Sequence, residues 1–89
     1  MKISEVCELA KEEFNAHELK GCPFDGAVPT VHVDFSMGSY RPEMHCSKCR
    51  AHKHGGCTYA SEYPAALAAV ANIQENIRAL IRDWNQRME

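Results

Sequence analysis

Between residues 31 and 47 the chain alternates between apolar and polar side chains, and that pattern decides the centre of any fold it can adopt. Val31, Val33, Phe35 and Met37 are separated by His32, Asp34 and Ser36. A period of two marks a strand with one buried face. Beyond Gly38-Ser39, the residues Tyr40, Pro42, Met44 and Cys46 alternate with Arg41, Glu43, His45 and Ser47. Gly38-Ser39 is therefore expected to be the turn of a hairpin whose second strand runs antiparallel to the first. Pro42 has no N–H to give to a ladder, so the second strand is expected at a sheet edge or broken at that residue. Cys57-Thr58-Tyr59-Ala60 fits a short third strand.

Helices flank this region. Ile3, Val6, Cys7, Ala10, Phe14 and His17 recur at three- and four-residue steps, which predicts a helix over 3–19 with one narrow apolar stripe. Ser4 is its expected N-cap and Gly21 its stop. Cys7 and His17 lie on or near the stripe and are expected to pack rather than to ligate. The longest element is a helix over 61–88, with Ser61 as cap and Pro64 in its first turn, where a missing N–H costs nothing. Leu67, Val70, Ile73, Ile77, Leu80, Ile81, Trp84 and Met88 form its stripe, and Ala65, Ala66, Ala68, Ala69 and Ala71 allow close approach to the sheet. Such a helix is roughly 40 Å long, more than a small sheet can cover. Its last turns are expected to pack on the first helix, the alternative being a homodimer through Trp84 and Met88. The fold class expected is α+β: one domain over 1–89 with an N-terminal helix, an antiparallel sheet of two or three strands within 22–60, and a long C-terminal helix.

A chain of 89 residues holds one small core, and such chains often rely on a metal or a partner for stability. Five cysteines are an odd number, which argues against a full disulfide framework. MKISEVCELAKEE lacks the apolar centre of a secretory signal, and the longest uncharged run, Tyr63 to Gln74, is too short to cross a bilayer. The expected setting is the cytoplasm, without a membrane partner, where clustered thiols serve metal or redox chemistry.

Cys46–Cys57, CSKCRAHKHGGC, carries that cluster: Cys46 and Cys49 form a Cys-x-x-Cys knuckle, followed by His52, His54 and Cys57. Thiolate is soft and imidazole borderline, so zinc is the expected ion. Charge is uneven as well. Residues 1–27 carry three Lys against five Glu and Asp25, while 41–56 carry Arg41, Lys48, Arg50 and Lys53 against Glu43 alone. A polyanion would meet the protein over 41–54.

Cys22-Pro23-Phe24-Asp25, then Pro29-Thr30-Val31-His32-Val33, then Met44-His45-Cys46-Ser47-Lys48-Cys49-Arg50-Ala51 together resemble the zinc-binding domain of bacterial and phage DNA primases. That family carries Cys-Pro-Phe-His, a Pro-Ser-Phe-x-Val strand, and a Cys-x-x-Cys knuckle followed by Gly-Ala-x-Gly. The likeness covers about residues 20–70. It implies a zinc-ribbon-like domain in which Cys22, Cys46 and Cys49 hold a structural zinc ion. The family's His is Asp25 in this chain, so the fourth ligand stays open between Asp25, Cys57, His52 and His54. A closed four-ligand site does no chemistry, and neither a His-Glu-x-x-His nor a His-x-Glu pattern is present, so no enzyme is expected.

Two functions follow. A zinc-ribbon module would contact single-stranded nucleic acid through Arg41, Lys48, Arg50, Lys53 and His54, with Tyr40 or Tyr59 available for stacking. Alternatively, a small phage or mobile-element factor would bind and inhibit or redirect a host protein, as anti-CRISPR proteins do. In that case the acidic first helix and the long last helix would be the working surfaces.

Overall fold

The structure, a computed structural model, describes residues 2–17, 19, 28–46 and 52–86. It is an α+β fold. Helix α1 (Ile3–Lys11) continues as a 3₁₀ turn over Glu12–Ala16, and strands β1 (Thr30–Ser36), β2 (Ser39–His45), β3 (His52–His54) and β4 (Thr58–Tyr59) follow. After a 3₁₀ turn at Ala60–Glu62 comes α2 (Ala66–Gln86). The strands form one antiparallel sheet with β2 between β1 on one side and β3 and β4 on the other.

The turn of the hairpin lies one residue earlier than the sequence suggests. Ser36 pairs with Ser39, leaving Met37 and Gly38 as a two-residue loop with φ of 53° and 77°. Two positive φ angles are the signature of a type I′ turn, whose twist matches that of the flanking strands. Gly38 takes its angle freely, whereas Met37 holds a conformation that an unbranched L-residue disfavours.

Pro42 does not lie at an edge; it is buried in the central strand. The register explains how it is tolerated. Counted from the closing Ser36↔Ser39 pair, hydrogen-bonded and non-hydrogen-bonded pairs alternate, and Val33↔Pro42 is of the second kind. The backbone of Pro42 therefore faces away from β1, and its carbonyl accepts a 2.9 Å hydrogen bond from the Gly55 N–H. On that side the partner strand is interrupted. Between Glu43↔His54 and Tyr40↔Thr58, Arg41 and Pro42 face Gly55, Gly56 and Cys57, two residues against three, which is a β-bulge. The missing donor falls at the bulge. Gly55 suits this place, because a Cβ would sit tightly, 3.0 Å from the Pro42 ring and 3.3 Å from the Asn76 carbonyl oxygen of α2.

Both helices pack on one face of the sheet. Val6, Ala10 and Phe14 from the first helical segment meet Tyr40 and Met44 of β2 and Val70, Ile73, Ile77, Leu80, Ile81 and Trp84 of α2 in one core. Trp84 is 1 % exposed, so the stripe of α2 is spent within the chain. Leu67 alone among its described members is exposed, and Met88 lies outside the described residues. Glu13 ties the two helices together, accepting from Arg78 at 2.9 Å while His17 stands 3.0 Å from its other oxygen. One polar group enters the core: Thr58, 1 % exposed, donates to Asn72 Oδ1 at 2.7 Å and accepts from Asn76 Nδ2 at 3.1 Å.

Both helices are shorter than their sequence periodicity. α1 begins at Ile3 with Lys2 at its N-cap, so Ser4 lies inside the first turn rather than capping it. The segment leaves helical geometry at His17, after Phe14 and Asn15, all three weak helix formers. Ser61 does not cap α2 either, lying in the preceding 3₁₀ turn. A residue before proline is pushed out of the α region, and Tyr63, before Pro64, has φ −130° and ψ 73°. The helix starts only beyond Pro64, its first turn closed by the Ala69 N–H on the Ala65 carbonyl. It is then about 32 Å long.

Candidate binding face

Side chains alternate across a strand, so the residues of β2 between the buried ones point away from the helices. These are Ser39, Arg41, Glu43 and His45. Pairing extends the face sideways. His32 and His54 flank Glu43 in one row across three strands, and Thr30 and His52 flank His45 in the next. Asp34 pairs with Arg41, and Tyr59 with Ser39. Four of the five histidines thus share one open sheet face around Glu43.

Glu43 is the hub. His32 Nε2 stands 2.7 Å from its Oε2, His52 Nε2 stands 4.0 Å from the same oxygen, and Arg41 Nη2 forms an ion pair with Oε1 at 3.3 Å. The carboxylate is the most enclosed of these groups; the imidazoles and the guanidinium are 41–47 % exposed against its 13 %. The rings also meet one another. His32 and His45 form an edge contact with centroids 6.0 Å apart, and His52 and His54 a tilted one at 5.7 Å. Arg41 Nε is buried without a hydrogen-bond partner, leaving the guanidinium a donor unused. Beside it Asp34, Ser36, Met37, Ser39 and Arg41 line a shallow hollow of about 160 Å³.

The residues expected to meet nucleic acid do not form one loop. Arg41 lies on β2, and Lys53 and His54 on β3, a strand that the sequence pattern does not predict. Arg41 and His54 share the open face. Lys53 pairs with Met44 and so lies at the register of the buried face. Lys48 and Arg50 fall outside the described residues.

The expected metal ligands also divide. Cys46 is buried at the end of β2, next to the Thr30↔His45↔His52 row that ends the sheet. Cys57 is exposed in the bulge, opposite Arg41 and Pro42. At 3.3–3.4 Å per residue that is roughly 13–17 Å from Cys46 along β2. Two thiolates on one zinc ion, with Zn–S bonds of about 2.3 Å, lie within about 4 Å of each other, so Cys57 does not share an ion with Cys46 in this fold. Cys22, Asp25 and Cys49 lie outside the described residues. Among the described residues, no three His, Cys, Asp or Glu side chains are already gathered round one point as a metal site.

Cys7 is half-buried against the core, and burial, aided by the negative charges of Asp34 and Glu8, pushes its thiol up. Burial, then Cys7, does the same to the Tyr40 hydroxyl. A thiol held protonated is a poor nucleophile and a poor ligand, which fits a packing role.

His32 and His45 were not among the expected site residues, and His52 was expected only as a candidate zinc ligand. The parity of His32 and His45 along their strands was visible; the gathering round Glu43 depends on β3 and its register. Among the described residues no helix is long and apolar enough to cross a membrane. No protein-family profile, curated protein or solved structure matches the chain.

Proposed function

We propose that the protein is a small binding module that contacts single-stranded DNA with the open face of its sheet, while a structural zinc ion ties down the cysteine-bearing segments at one end of that sheet. The observation that carries this reading is the asymmetry of the sheet. Both helices occupy one face, and the other presents four imidazoles, Tyr59, and Arg41 beside the carboxylates of Asp34 and Glu43. Flat rings beside a cation suit unpaired bases and their phosphates, because every base offers a π-face for stacking. The half-exposed outer part of the Arg41 guanidinium is available to a phosphate oxygen. The zinc part rests on the resemblance to the primase zinc-binding domain and on chain direction. Segment 20–27 leads into β1 at the same end of the sheet where β2 ends in buried Cys46 and β3 begins. The ligand set proposed is Cys22, Cys46 and Cys49, with Asp25, His52 or His54 as the fourth.

Filter binding of a single-stranded oligonucleotide at low and moderate salt tests the DNA reading. Affinity should fall steeply as salt rises and drop at least about tenfold when Arg41 and His54 are both changed to Ala. Absence of binding at low salt, or indifference to both substitutions, would overturn it. Metal analysis of the purified chain beside Cys46→Ser tests the zinc part, which predicts one equivalent lost.

A second reading, a phage or mobile-element factor that docks on a host protein, draws on one feature. Met37 is 99 % exposed at the hairpin tip in a disfavoured backbone conformation. Strain kept at an exposed apolar tip is the kind of feature that a docking contact maintains. A host complex lost with Met37→Ser and kept with the Arg41 and His54 substitutions would favour it.

A further inference from the structure

We propose that the chain forms a homodimer by antiparallel pairing of β1 with β1 of a second copy, in the register that sets Val33 opposite Val33. β1 is an edge strand, paired with β2 on one side only. In the alternating ladder His32 and Asp34 bond to β2, so the N–H and C=O groups of Val31, Val33 and Phe35 face outward. Among the described residues these groups have no backbone partner. An unpaired edge is a template for another strand, and folded proteins blunt it with Lys, Pro, bulges or very short strands. The opposite edge of this sheet has such protection. There β3 has three residues with Lys53 in the middle, β4 has two, and a bulge separates them. β1 has seven residues, TVHVDFS, with neither Lys nor Pro nor a bulge.

The register follows from the strand's own sequence. Centred on Val33, the pairing uses the whole of β1 and sets Val31 against Phe35, His32 against Asp34 and Thr30 against Ser36. On the packed side it joins Val31, Val33 and Phe35 to their copies, and each of these is only partly buried where it packs on the core. On the open side it sets an imidazole against a carboxylate, once in each direction. Moving the second copy by two residues either way puts His32 opposite His32 or Asp34 opposite Asp34, which loses that complementarity. A slip of one residue would exchange the two faces. The two-fold axis stands perpendicular to the sheet, so the interface is isologous and the two open faces become one continuous surface. One strand pair is a small interface, which makes the dimer weak and dependent on concentration. The end of α2 takes no part, since Trp84 is buried within the chain.

Sedimentation of the full-length chain, free of DNA, over a range of concentrations tests the proposal together with amide hydrogen exchange. A monomer–dimer equilibrium is expected, and the amides of Val31, Val33 and Phe35 should exchange more slowly as concentration rises. Those of His32 and Asp34, already bonded to β2, should be protected at every concentration. That alternation within one strand separates edge pairing from association through α2 or the hairpin tip. Val33→Pro removes the outward N–H at the centre of the interface from both copies, at a place where an edge strand tolerates proline. It should weaken the dimer at least about tenfold, the scale of two lost hydrogen bonds. Its melting curve at low concentration checks that the monomer still folds; should it not, the exchange pattern of the unaltered chain decides. A monomer at every concentration, a dimer without slowed exchange at Val31, Val33 and Phe35, or a folded Val33→Pro chain that dimerises equally well would each overturn the proposal. No readout uses DNA, so the result stands apart from the DNA reading.

Discussion

Tyr40, Pro42, Met44 and Cys46 point from β2 toward the helices and are buried, while Arg41, Glu43 and His45, their neighbours on the same strand, point the other way and are only partly buried. The first face is held by packing against α1 and α2. Among the described residues no layer covers the second, which is organised by Glu43 and the groups around it. A residue on the packed face answers to volume: it must fill space among Phe14, Ile73, Ile77 and Trp84. A residue on the open face answers to charge and donor atoms, and removing it leaves the fold nearly untouched, since exposed ion pairs contribute only about 0–1 kcal/mol. Stability and the proposed binding are therefore separable in this sheet by the parity of a residue number.

The sharpest way to break that separation is to strike the packed face. Trp84→Ala removes the largest buried side chain of α2, 1 % exposed, and should cost about 3–5 kcal/mol in urea denaturation. For a chain of 89 residues that is a large share of the whole stability, so the midpoint should fall far below that of any open-face variant. A loss under about 1 kcal/mol would mean that the end of α2 is not part of the core, contrary to its burial.

Thr58 tests whether the packed face is governed by volume alone. It sits there with a hydroxyl, enclosed by Asn72 and Asn76. Thr58→Val keeps the shape and removes both hydrogen bonds, and the two amides are left with only their mutual 3.4 Å contact. The expected cost is about 1–3 kcal/mol, the desolvation penalty of partly buried polar groups without a partner. An unchanged unfolding midpoint would show that Asn72 and Asn76 reach solvent, and that volume alone matters at this position.

Much of this division was legible in the chain itself. The alternation from Val31 through Cys46 assigns the buried and open faces of β1 and β2 correctly, and the stripe from Val70 to Trp84 marks the core side of α2. What stayed hidden was set by contacts distant in sequence. His52-Lys53-His54 is too short and too polar to announce a strand, and its pairing with β2 brings His52 within 4.0 Å of Glu43. Pro42 misled for the same reason. Its fitness for a central strand depends on a bulge thirteen residues later, and local chemistry says nothing of that. Proline acted on α2 in a readable way, through Tyr63, yet the helical stripe tempted the boundary back to Ser61. Cys57 looked close to Cys46 because sequence distance was short; the hairpin-like return through β3 carries it back along β2.

The hairpin tip belongs to neither face, and Met37 there offers the smallest effect and the clearest sign. A type I′ turn wants Asn or Gly at its first central position, because these accept positive φ with little strain. Met37 has φ of 53° and is 99 % exposed, so nothing in the described fold rewards methionine at this place. Met37→Asn should therefore raise stability by about 0.5–1 kcal/mol, seen as a small upward shift of the unfolding midpoint. The sheet faces should be unaffected, and the DNA binding proposed for Arg41 and His54 should stay at the wild-type level. Were the substitution to destabilise the chain instead, the methionine would have to pack against something, and the tip would count as a third structured surface. If stability rises while a host-protein complex is lost, the strained methionine is kept for that contact, and the open face of the sheet is not where the partner docks.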